Sequence, residues 1–254
     1  MMVDMQQIQK QFQEQKIGIL VPTYNNAKTL KTVIDDLLRF THQIIVVNDG
    51  STDDTLAILA TYNQITVVSY AQNKGKGYAL KCGFAQARAL TYRCVITIDS
   101  DGQHRTSDLY KFLEEEQRYP NTLIIGSRLM EQANKSAQSS FANKFSNFWF
   151  RVQTLQNVPD TQSGFRLYPL ESMGNMHLIT NRYECELEVL VRAAWKGIVI
   201  RSISIDAYYP PIEERVSHFR PFQDFTRISV LNTIVCLVAL IYGYPRLLWN
   251  KLRK

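Results

Sequence analysis

The chain has 254 residues, 45% of them apolar and 20% charged, with 11 Gly and 8 Pro. That excludes collagen-like, low-complexity and wholly disordered classes, and it suits one large core or a core with a small appendage. The 29 basic and 23 acidic residues give a net charge of +6, which favours anionic partners such as phosphates, acidic lipid or nucleic acid without choosing among them.

Cys82, Cys94, Cys185 and Cys236 are scattered, with no CxxC or Cys/His metal spacing. A disulfide scaffold or structural zinc site is therefore not expected, and a reducing compartment fits best. Residues 1–16 are rich in Gln and lack the apolar run of a secretory signal. Met5, Ile8 and Phe12 stand at helical spacing and allow a short amphipathic helix.

Strands and helices then alternate. Lys16–Val21 reads as a strand and Ala27–Phe40 as a helix; Gln43–Val47 is a second strand, followed by a helix over about Asp53–Tyr62. Ile65–Ser69 is a third strand with a helix over Gly77–Leu90, and Cys94–Ile98 a fourth with a helix over Ser107–Tyr119. Thr122–Ile125 is a fifth strand. Short apolar strands alternating with helices predict an α/β, doubly wound, mostly parallel sheet, with ligands beyond the carboxyl ends of its strands. After it, Glu131–Ser140 is polar and reads as a loop, a candidate lid. Phe141–Val152 reads as an aromatic-rich helix, Gly164–Tyr168 as a strand, Cys185–Lys196 as a helix and Ile198–Ile205 as a strand.

From Ile228 to Tyr244, 13 of 17 residues are apolar. As a helix that run is about 25 Å long, a marginal span of a hydrocarbon core about 30 Å thick. Arg220 and Arg227 precede it; Arg246, Lys251, Arg253 and Lys254 follow. The expectation is a membrane-embedded or interfacial helix, with room for pairing in a homo-oligomer, whose basic flanks meet anionic headgroups. The competing reading is a buried core helix.

Four polar clusters follow the first four strands: Pro22-Thr23-Tyr24-Asn25, Asn48–Asp53, Asn73–Gly77 and Asp99–His104. Singly each is weak. Asp49-Gly50-Ser51 is ordinary turn chemistry, Ser51–Asp53 suits a helix N-cap, and Lys74-Gly75-Lys76-Gly77 lacks the spacing of a Walker loop. Together they line one rim of one sheet. Asp99-x-Asp101, just past a buried strand, can converge on a hard cation that offsets charge on a leaving diphosphate; the alternative is an Asx-turn pair.

The ordered set Pro22-Thr23-Tyr24-Asn25, Val46–Asp53, Asn73-x-Gly75-x-Gly77 and Asp99-x-Asp101-x-Gln103 resembles family-two glycosyltransferases of the GT-A fold. Gly126-Ser127-Arg128, Asp160–Arg166 and Glu184–Glu188 narrow the resemblance to the dolichol-phosphate mannosyltransferase and polyprenyl-phosphate glycosyltransferase branch. It covers roughly residues 16–206. Asn26 and Asn48 stand where many relatives carry acidic residues, which bears on the donor, and the processive-polymer signature Gln-x-x-Arg-Trp is absent.

The resemblance implies that Pro22, Tyr24, Asn25 and Asp49 hold the nucleoside, with Lys76 near the nucleotide. Asp99, Asp101 and Gln103 would bind Mg²⁺ or Mn²⁺. Arg128 and Arg166 would grip phosphates, with Ser163 nearby, Arg220 as a third clamp and Glu186 on the acceptor side. Glu184, Glu186 and Glu188 equally suit a helix N-terminus, Arg128 and Arg166 could be surface ion-pair partners, and His104 is expected to face water. The division implied is an N-terminal extension (1–15), a catalytic domain (16–210) and a juxtamembrane segment with the apolar helix (211–254).

The activity implied is inverting transfer of a hexose from a GDP- or UDP-sugar to a lipid-linked acceptor, a polyprenyl phosphate, at the cytoplasmic membrane face. The alternatives are transfer to a glycan or lipid hydroxyl, and a non-catalytic nucleotide-binding membrane scaffold. Nothing points to nucleic acid: no basic-aromatic module is present.

Overall fold

A computed structural model describes residues 5–128, 137–206 and 221–252 of the chain. Seven strands form one sheet: β1 (Ile17–Thr23), β2 (Ile44–Asp49), β3 (Thr66–Tyr70), β4 (Cys94–Thr97), β5 (Leu123–Arg128), β6 (Arg166–Pro169) and β7 (Ile200–Ile205). Their order is β3-β2-β1-β4-β6-β5-β7. The β1, β2, β3 and β4 pairings are parallel, as is β5 with β7, whereas β6 runs antiparallel to both β4 and β5. The sheet is therefore mostly parallel, as expected, with one reversed strand near its middle.

Strands β1, β2, β4 and β6 are buried at every residue, as interior strands covered on both faces must be, while the edge strands β3 and β7 alternate toward solvent. Successive side chains of β1 point to opposite faces. Ile17, Ile19 and Val21 join one core with α1 (Met5–Glu14), α2 (Ala27–Leu38), α3 (Thr55–Leu59) and α5 (Leu109–Arg118). Leu20 joins the other, built by α4 (Lys76–Ala89), α6 (Ala137–Thr154), α7 (Leu170–Met173) and α8 (Glu184–Lys196). In α2, Leu30, Val33, Ile34 and Leu37 make the buried stripe, at the spacing of one helical face.

Several expectations shift. The helix expected over residues 5–12 forms, and Ile8 and Phe12 are buried in the core rather than lying on an appendage. The helix expected from Asp53 shrinks to five residues. Residues 137–140, read as loop, are the first turn of α6; the rest of that segment, 131–136, lies outside the described residues. Arg220 lies outside them as well. All four cysteines are free.

The apolar C-terminal run is helical. It consists of α9 (Pro221–Val238), a π-helical turn (Ala239–Gly243) and α10 (Tyr244–Leu252), which continue one another. Pro245 has no N–H to return to the carbonyl four residues earlier, and a π-turn is a common way to absorb that loss. Thr226–Leu252 is long and apolar enough to cross a membrane by length and composition.

Candidate active site

The loops after β1, β2 and β4 are tied together at one rim of the sheet. Asn25, with φ of 50°, takes the left-handed backbone that asparagine tolerates. Its N–H donates to Ser51 Oγ at 2.9 Å, and its Oδ1 accepts the Thr52 N–H at 2.8 Å. Asp53 reaches across to accept the Ala27 N–H at 3.0 Å, capping the first turn of α2, and accepts the Thr55 N–H at 3.0 Å. Burial would raise the Asp53 carboxyl, but these bonds from Thr55 and Ala27 hold it below its ordinary value. Ser100 Oγ donates to the Pro22 carbonyl at 3.3 Å and accepts Asn26 Nδ2 at 2.7 Å.

Asp49, at the end of β2, is buried and accepts the Lys74 N–H at 2.7 Å, the Gly75 N–H at 2.9 Å and Asn73 Nδ2 at 2.9 Å. Its carboxylate shapes the Asn73–Gly75 turn. Gly75 has φ of 99°, and a Cβ at Gly77 would lie 2.3 Å from Cys185 Cβ. The glycines therefore let the start of α4 pass against α8, which the sequence pattern alone did not disclose. Pro22 is buried and Tyr24 half-buried at the same rim.

That passage carries Lys76 into the cleft. Lys76 Nζ lies 2.7 Å from Asp99 Oδ1 and 3.1 Å from Glu186 Oε1. Burial alone would depress the ammonium, but Asp99 and Glu186 outweigh it and hold the group above its ordinary value. Gly164 closes the other side: a Cβ there would sit 2.5 Å from Asp99 Oδ2 and 2.9 Å from Lys76 Nζ. The main chain thus approaches the carboxylate as closely as only glycine permits.

Asp99 stays below the ordinary carboxylate range, because Lys76 and then His104 offset the burial that would raise it. Asp101 is pushed up to about 6, first by burial and then by the Asp99 charge. Asp101 Oδ1 accepts the Gln103 N–H at 3.0 Å, so the Asx-turn is real and coexists with the paired carboxylates. Lys76 and Arg128 pull the other way without cancelling the burial. Two carboxylates fit a hard divalent cation, which takes one or two of them and completes its shell with phosphate oxygens and water. Among the described residues no three His, Cys, Asp or Glu side chains are grouped to hold an ion.

His104 is half-buried rather than open to water. Its ring packs against Phe165 with centroids 5.2 Å apart, and its Nδ1 is buried without a hydrogen-bond partner. Burial pushes the imidazole down to about 4 despite the neighbouring Asp99, so it is neutral near pH 7.

Arg166 is the chief correction. It is wholly buried in β6. Its Nε donates to the Ser163 carbonyl at 2.6 Å, Nη1 to the Glu186 carbonyl at 2.8 Å and Nη2 to the Thr161 carbonyl at 2.8 Å. A guanidinium spent on three carbonyls bolts the 161–163 loop to α8 and does not present itself to a phosphate. Ser163 is likewise buried, its Oγ accepting the Phe165 N–H at 3.3 Å. Arg128 forms a two-pronged bridge to the buried Asp160, Nε to Oδ2 at 2.7 Å and Nη2 to Oδ1 at 2.9 Å. Asp160 had no role from the sequence; it is the residue that aims Arg128.

The three glutamates of α8 diverge. Glu186 faces Lys76, Glu188 accepts the Ile179 and Thr180 N–H groups and Arg192 Nε, and Glu184 is buried. The structure thus gathers Lys76, Asp99 and Glu186 in one cluster, with the Asp99 and Arg128 charges both acting on Asp101.

The sequence profile of Glycosyl transferase family 2 matches residues 18–174. The dolichyl-phosphate beta-glucosyltransferase of Homo sapiens is 27% identical over 219 residues, covering 75% of this chain and 67% of the human protein. The UDP-N-acetylglucosamine–dolichyl-phosphate N-acetylglucosaminyltransferase of Methanococcus voltae is 27% identical over 215 residues, covering 76% of this chain and 86% of that protein. The chain spans about two thirds of the length of the human protein and 65% of a dolichyl-phosphate beta-glucosyltransferase of Trichomonas vaginalis. Glucosyl-3-phosphoglycerate synthase of Mycobacterium tuberculosis, crystallised with Mn²⁺, UDP-glucose and phosphoglyceric acid, superposes with a TM-score of 0.69 at 19% identity, over 94% of this chain and 84% of that one; it shares the fold. With the profile covering more than half of the residues, from β1 to the turn after α7, the chain belongs to glycosyl transferase family 2.

Proposed function

We propose that this chain transfers a hexose, with inversion, from a UDP- or GDP-sugar to a polyprenyl phosphate of the dolichyl type at the cytoplasmic face of a membrane. The observation that carries the reading is the Asp99–Asp101 pair at the end of β4, set against Lys76 and Glu186 and overhung by Gly164. The relatives' dolichyl-phosphate acceptors support the lipid acceptor. Mn²⁺ and Mg²⁺ in crystals of the structural neighbour support a divalent ion.

Asp99 and Asp101 would hold that ion, with Gln103 beside them, and its charge would stabilise the departing nucleotide diphosphate. The chain's own residues do the rest. Lys76 keeps Asp99 ionised and holds it in one orientation. Arg128, aimed by Asp160, adds positive charge on the same side. Tyr24, at the end of β1, and the Asn73–Gly75 turn shaped by Asp49 border the space for the nucleoside. A phosphate acceptor is already anionic near neutrality, so the reaction needs positioning and charge stabilisation more than a base. Glu186, committed to Lys76 at 3.1 Å, is poorly set to take a proton from a hydroxyl acceptor, and this favours the phosphate.

The test is transfer of radiolabel from UDP- and GDP-sugars with Mn²⁺ to a polyprenyl phosphate. Label in a mild-acid-labile lipid is the expected result. Label only in an acid-stable product would replace the acceptor with a hydroxyl. No transfer or donor hydrolysis with any pair would leave a binding protein.

A further inference from the structure

The C-terminal helix is docked on one face from Leu231 to Asn250, by small and apolar side chains and by two buried or half-buried asparagines. Asn232 is buried, with its Oδ1 accepting Gln153 Nε2 at 2.9 Å. Trp195 Nε1 donates to the Gln153 carbonyl at 2.8 Å, and Tyr244 OH donates to the Val152 carbonyl at 2.5 Å. Near the other end, Asn250 Nδ2 donates to the Trp195 carbonyl at 3.1 Å. Between them Val235, Ala239 and Gly243 are buried, and a Cβ at Gly243 would fall 2.5 Å from the Trp195 indole nitrogen. The buried positions recur every three or four residues through the π-turn, so one face stays against the catalytic domain.

The opposite face is apolar as well. Val230, Ile234, Leu237, Ile241, Leu248 and Leu252 are all exposed, Ile241 by 83%. A surface helix ordinarily keeps its large apolar side chains on the buried stripe; here they stand on the outward face as well. The anchors Asn232 and Asn250 lie about 27 Å apart along the helix. A helix crossing a hydrocarbon core about 30 Å thick is in lipid over nearly that whole distance. Here the catalytic domain occupies one side of it over that same distance.

We infer that the helix does not span: it lies in the plane of the membrane surface, with its outer face in the lipid and the catalytic domain seated on its inner face. The occupant of the outer face is a bilayer with anionic headgroups. From Phe225 to Lys254 the chain has five basic residues and no acidic one. Arg246 and Lys251 are exposed in α10 beside Trp249, itself 51% exposed; indole and basic side chains suit the headgroup level. The inference deepens the lipid-acceptor reading. Its assay contains no sugar donor or acceptor, so either can fail while the other stands.

The experiment is flotation of the full chain with sealed phosphatidylcholine–phosphatidylglycerol vesicles, followed by carboxypeptidase B added outside. The wild type should float, and the I234E/I241E variant should lose about tenfold or more of its partition with an unchanged melting temperature. External enzyme should remove the C-terminal Arg253 and Lys254. Failure of the wild type to float, equal flotation of the variant, or a C-terminus protected until detergent is added would overturn the inference. A dimer in lipid-free solution that the same variant dissociates, with no flotation, would assign the face to a second copy instead.

Discussion

Replacing Asp101 by asparagine should stabilise the metal-free protein while removing its activity. The Asp101 carboxyl is raised from its ordinary 3.8 to about 6, by burial and by the Asp99 charge. A group whose folded pKa lies above its unfolded value favours the folded state when protonated. That advantage is complete below about pH 4 and is lost as pH climbs through 6. At ~1.4 kcal/mol per unit, ionised Asp101 then costs the folded state about 3 kcal/mol at pH 7.

Asparagine keeps the shape and can still accept the Gln103 N–H, but it carries no charge to bury. Urea unfolding in EDTA should therefore find D101N more stable than wild type by up to about 3 kcal/mol at pH 7 and by almost nothing at pH 4. Added Mn²⁺ should close the gap at pH 7 by stabilising the wild type alone. Transfer should fall in D101N by a factor of about 100 or more, as metal charge stabilisation is worth several kcal/mol. Equal stability at pH 7, or a gap that persists at pH 4, would show that Asp101 is not an uncompensated charge and would undo the cation argument.

Arg166→Met should strand three carbonyls and cost about 3–5 kcal/mol by urea unfolding. An R166K protein with unchanged melting temperature and lost turnover would return Arg166 to the phosphate. Gly77→Ala should cost about 1–2 kcal/mol, because a contact at 2.3 Å to Cys185 Cβ outweighs the gain in helix propensity. Adding Cys185→Ala should not relieve it, since the β-carbon remains; a melting curve that recovers in the double variant would contradict the packing.

The parallel half of the sheet was readable because β1, β2 and β4 are continuous apolar runs bounded by turn residues. The reversal of β6 was not. Phe165–Tyr168 has the same local pattern in either direction, and its sense is set by the chain's route from β5. The rim was legible as a set of clusters, but not what each side chain does there. Asn25 and Asp49 look like ligand groups in sequence and spend bonds on neighbouring loops. An arginine for carbonyls and one for phosphate are spelled alike; the usable signal was the apolar setting Phe165-Arg166-Leu167-Tyr168, which marks a buried side chain. His104 misled because polarity in a loop suggests solvent, whereas Phe165 supplies it with a wall.

The crossed bonds between the first two rim loops have a kinetic consequence. Asn25 gives its amide to Ser51 and takes that of Thr52, while Asp53 holds the amide of Ala27. Neither segment can lift away without releasing the other. They form one cooperative opening unit, and the amides of Ala27 and Thr52 should exchange with deuterium at one common free energy instead of fraying separately.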